Sequence, residues 1–112
     1  MPAPSSSRAS SRANSLLVGL GRFDLRIPGC GSLKEKRHVV KALTGAIRSR
    51  FEVSVAEVDH QELWQRTAIA VAVVGGQEFH VRKVIGRIES FVQAWGGVEL
   101  LDATLTLHGP ED

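Results

Sequence analysis

A chain of 112 residues with 14 Lys+Arg against 12 Asp+Glu and one cysteine holds a single two-layer core, which excludes a large multidomain enzyme and a disulfide scaffold. No apolar run approaches the ~20 residues of a membrane-spanning helix. The net charge of +2 hides a polarised distribution: residues 16–50 carry Arg22, Arg26, Lys34, Lys36, Arg37, Lys41, Arg48 and Arg50 against Asp24 and Glu35, while residues 51–62 carry Glu52, Glu57, Asp59, Glu62 and no base.

Residues 1–15 (MPAPSSSRASSRANS) read as a disordered Ser/Pro-rich tail. They lack the apolar stretch of a signal peptide. With Cys30 unpaired, the expected location is cytoplasmic and no membrane partner is expected. Residues 16–27 alternate as a strand, with Leu17, Phe23, Leu25 and Ile27 on one face and Arg22, Asp24 and Arg26 on the other. Gly19 and Gly21 replace side chains on the apolar face, where a large neighbour packs close. Pro28–Gly31 stops the strand. Ser32 and Glu35 are spaced as a capping box for a helix over 32–50, whose apolar stripe is Leu33, Val40, Leu43 and Ile47.

Residues 51–58 and 67–74 alternate again, the latter with β-branched Ile69, Val71 and Val73 opposite small Ala68, Ala70 and Ala72. Asp59 and Glu62 are placed to cap one helical turn between them. A second helix over 77–95 presents Val81, Val84, Ile85, Ile88, Phe91, Val92 and Trp95, and ends at Gly96-Gly97. The last strand, 98–108, turns Leu101, Ala103, Leu105 and Leu107 inward, and 109–112 is a short exposed end. The order βαββαβ predicts one α+β domain over 16–108. It is a ferredoxin-like split βαβ fold, a four-stranded antiparallel sheet with two helices on one face.

The segments FDLRIPGCGSLKEKRHVVKAL and RFEVSVAEVDHQELWQR, followed by the Ala-rich strand, resemble the YlxP-like family of small bacterial proteins of unknown function. The resemblance covers residues 16–107 and leaves the tail outside. It implies a ferredoxin-like fold. Genes of this family often lie beside those for translation initiation and ribosome maturation, which implies a link to ribosome assembly but no mechanism. It implies no catalytic residues.

Lys34, Arg37, Lys41 and Arg48 fall along one helical face, rotated away from the apolar stripe, with Lys36 and His38 flanking them. Such a row can follow a phosphate backbone. The favoured reading is a non-enzymatic protein that docks on ribosomal RNA or a ribosome-assembly intermediate. The sheet face left open by the helices has no aromatic residue, which argues against base stacking of the RNA-recognition-motif type. Ala68, Ala70 and Ala72 on that face, with Trp64 and Arg66 beside it, are candidate protein-interface residues. The alternative is a homo-oligomeric interaction module without RNA contact, and self-association is expected through this face or a sheet edge. Cys30, at a helix N-terminus, is the weak starting point for a thiol enzyme. Glu57, Asp59, His60 and Glu62 supply hard-metal donors without evident convergence. No cofactor and no metal site is assigned.

Overall fold

The computed structural model describes residues 15–111; the expected tail, apart from Ser15, lies outside them. The elements are β1 (Leu17–Arg26), α1 (Leu33–Phe51), β2 (Ser54–Asp59), β3 (Arg66–Gly75), α2 (Glu78–Gln93) and β4 (Glu99–His108). One sheet has the order β2-β3-β1-β4, with every pairing antiparallel. This is the expected ferredoxin-like α+β arrangement. Phe23, Leu25, Ile69, Val71 and Val73 of the sheet meet Leu43 and Ile47 of α1 and Val81, Ile85, Ile88 and Val92 of α2 in one core. Both helices therefore cover the same face.

Close packing of α2 on β1 depends on glycine. A Cβ at Gly19 would overlap Val81 Cγ1 and stand 2.8 Å from Ile85 Cδ1. Helix α1 starts as expected: the Glu35 amide donates to Ser32 Oγ (3.0 Å), and Glu35 Oε1 accepts from the Gly31 amide (2.8 Å), one residue earlier than in a capping box. It runs on through Phe51, because Glu52 takes the left-handed conformation (φ 52) and returns its amide to Arg48 O. The second strand thus begins at Ser54, later than its alternation suggests.

The 60–65 connection contains no helical turn: His60 takes φ 59, and its carbonyl accepts the Leu63 amide at 3.1 Å. Register shifts at Glu57/Asp59 in β2 and opposite Asp24/Leu25 in β4 leave Val58 and Leu101 as extra residues. Each bulge inverts the alternation between the residues on its two sides, which moves Asp59 in β2 and Leu100 in β4 to the opposite face from an uninterrupted strand. Leu101, expected inside, is 46% exposed, and Leu100 packs against the core instead.

Candidate functional site

The ladder registers set out the open face in rows. Ser54, Ala72, Leu20 and Thr106 form one row; Ala56, Ala70, Arg22 and Thr104 form the next; Asp59, Ala68, Asp24 and Asp102 form the third; Arg66, Arg26 and Glu99 lie beyond. The face is small and apolar at one end and ionic at the other. The bulge at Val58 is what brings Asp59 onto it.

Asp24 is the hub of the ionic end. Its Oδ2 accepts from Arg22 Nε (3.1 Å), and its Oδ1 meets His60 Nε2 (3.2 Å) and Arg66 NH2 (3.3 Å). Arg22 reaches on to Asp59 Oδ2 at 3.1 Å, and Asp59 Oδ1 accepts the His60 amide at 2.8 Å. Arg26 donates to Glu99 at 2.7 Å. Burial pushes the Asp24 carboxyl up, but the hydrogen bond and charge of Arg22, with His60 and Arg66, hold it below the ordinary range. Asp59 is also lowered, first by the His60 amide and then by Arg22.

Carboxylates with lowered folded-state pKa values stabilise fully above the unfolded value of ~3.9 and lose that contribution as pH falls through the folded value. Asp24→Asn is therefore expected to lower stability near neutral pH and to flatten the decline in urea midpoint below about pH 4. An unchanged acid limb in Asp24→Asn would show that this network does not set it.

The network changes the standing of the interface candidates. Ala68 sits between Asp59 and Asp24 in its row, beneath the Arg22 and His60 bridges, and is 0% exposed. It offers no contact surface. Ala70 and Ala72 remain partly open, beside Leu20 in a shallow depression. Arg66 is turned inward onto Asp24. Trp64 is 50% exposed and lines a shallow depression with Leu63 and Gln65; it is not part of the buried core.

On the helix side, Lys36 departs most from expectation. It is 1% exposed and cannot reach a phosphate. Its Nζ donates to His60 O (2.6 Å) and pairs with Glu57 Oε2 (2.8 Å). Thr67 Oγ1 donates to the same carboxylate oxygen at 2.6 Å. The sequence does carry a signal: Leu33, Lys36, Val40, Leu43 and Ile47 recur at spacings of 3 and 4, so Lys36 occupies a core position of the apolar stripe. Through His60, whose carbonyl meets Lys36 and whose ring meets Asp24, one turn ties α1 to the open face.

Lys34, Arg37, Lys41 and Arg48 are exposed along α1, as expected. Among the described residues, none of them makes an ion pair; those pairs are made by Arg22, Arg26, Lys36, Arg66, Arg82 and His60. Arg48 does donate to Val55 O at 3.2 Å. A groove of about 700 Å³ opens beside the start of α1, with Lys34, His38, Ile27, Pro28 and Val39 in its walls. Cys30 borders it but is 5% exposed, packed with Ile27 and Val40, and its thiol donates to Ser32 O. The acidic-loop residues do not converge: Glu57 is engaged on the helix side, while Asp59 and His60 turn to the open face.

Residues 18–105 match the family described as a protein of unknown function, DUF503. Over 83 residues the chain is 31% identical to the uncharacterized protein YlxP of Bacillus subtilis strain 168, covering 74% of this chain and 90% of that protein. A solved structure of a mutant form of SnoaB, a cofactor-independent oxygenase from Streptomyces nogalater, aligns over 88% of this chain and 95% of its own at 14% identity. Its TM-score of 0.42 is too low to bear on this chain's fold or chemistry.

Proposed function

Since this chain belongs to the DUF503 family, whose function is unknown, we propose from its surface chemistry that it is a cytoplasmic, non-enzymatic protein that binds RNA or a ribosome-assembly intermediate through α1. The observation that carries this reading is the row Lys34, Arg37 and Lys41. These cations are exposed on one rigid helix face and, among the described residues, have no acidic partner, whereas the arginines of the open sheet face are neutralised within the fold. Cations left free on a rigid scaffold can replace the counterions of a phosphate backbone, at spacings the helix sets. Among the described residues no Phe or Trp side chain lies on the open sheet face, Phe23 being buried in the core, so that face offers no stacking platform of the RNA-recognition-motif type. Selectivity then rests on the shape of the folded RNA.

Replacing Lys34, Arg37 and Lys41 together with Gln preserves helix propensity. It should flatten the dependence of log affinity on log salt by roughly 2–3 units for ribosomal RNA or ribosomal particles. Binding weakens without a change in sequence preference. Superimposable curves for the wild type and the triple variant, or a wild type without affinity at low salt, would refute the reading.

A further inference from the structure

The two edges of the sheet are not equivalent. Strand β2 is short, 6 residues, is broken by the bulge at Val58, and has its Val55 carbonyl taken by the Arg48 guanidinium. These are devices that keep an edge from pairing. Strand β4 is 10 residues long. Its bulge is confined to Leu101, so 102–108 runs straight along β1. That stretch has neither proline nor lysine. Among the described residues, no side chain bonds to its backbone.

Its side chains are also incompletely covered. Leu105 and Leu107 lie opposite Gly21 and Gly19 on the helix-facing side, yet they stay partly exposed while Phe23 and Ile69 beside them are sealed. On the open side Asp102 faces Asp24 directly and, among the described residues, has no hydrogen-bond or ion-pair partner.

We propose that the chain forms a two-fold dimer by antiparallel pairing of β4 with β4 of a second copy, centred on Leu105. In antiparallel pairs, residues opposite one another point to the same face. With Leu105 on the axis, Ala103 meets Leu107 on the helix side, and Thr104 meets Thr106 and Asp102 meets His108 on the open side. Asp102 thereby gains a partner beside it, and the leucines gain cover. The result is a continuous sheet twice as wide, and the dimer does not depend on the RNA reading.

Exposed Thr104 and Thr106 test the register without touching the core. Sedimentation equilibrium across the micromolar range should show a wild-type dimer. Thr104→Glu with Thr106→Glu places like charges opposite each other at both symmetry-related positions. It should raise the dissociation constant about tenfold or more, with an unchanged circular dichroism spectrum. Thr104→Glu with Thr106→Lys makes those pairs complementary and should restore the dimer. A monomeric wild type, or a dimer that ignores the double-Glu variant, would overturn the proposal. Failure of the Glu/Lys variant to recover would overturn the Leu105-centred register.

Discussion

Lys36→Met is expected to lower the free energy of unfolding by about 3 kcal/mol. The variant leaves Glu57, whose side chain is only 22% exposed, without its cation, and the His60 carbonyl without the 2.6 Å donor. Removing one member of a shielded pair costs more than the pair contributes, because the survivor remains charged in a poor solvent. The reverse deletion, Glu57→Leu, strands an ammonium group that is 1% exposed and should cost at least as much. Combining Lys36→Met with Glu57→Leu removes both charges and should recover much of the loss. Urea unfolding followed by circular dichroism measures all three variants. Additive losses in the double variant would show that the two side chains are not energetically coupled.

Gly19→Val should be of similar severity. The first added carbon already overlaps Val81 and crowds Ile85, so α2 must move off the sheet or the side chains must leave their rotamers. Overpacking of this kind costs about 1–3 kcal/mol, and valine at this position lies at or beyond the upper end. Gly19→Ala should cost less. Val81→Ala opens a cavity on its own, but in the Gly19→Ala background it relieves the clash, so the double variant should be more stable than the sum of the single losses predicts. Strict additivity in thermal or urea midpoints would mean that Gly19 is not the contact that sets the helix–sheet spacing.

Periodicity carries most of the fold. Alternation in β1 and β3, the helical stripes, and Gly19 with Gly21 are enough to place both helices on one sheet face. What alternation cannot show is an inserted residue: Val58 and Leu101 look like ordinary strand residues, yet each shifts the parity of its strand, displacing Asp59 in one case and Leu100 in the other. The exposed row on α1 is legible because solvated cations need only helical spacing to be located. Lys36 is hidden among them because its charge outweighs its position in the stripe. Its partner Glu57 is distant in sequence, and only the folded sheet brings the two together. The Asp24 network is concealed for the same reason, since its arginines are spread over β1 and β3 and its histidine sits in the connecting turn.

Lys34, Lys36, Lys41 and Lys83 are the complete set of lysines in the chain, and Lys36 alone among them is buried. Under brief treatment of the native protein with an amine-directed acylating reagent, the exposed three are modified, while Lys36 stays unlabelled for as long as the α1–β2 packing holds. Peptide masses after timed labelling then track a local opening event at one residue, with the other lysines as internal controls for reagent strength. The side chain that cannot meet an external anion is the one that reports, by covalent chemistry, when this fold comes apart.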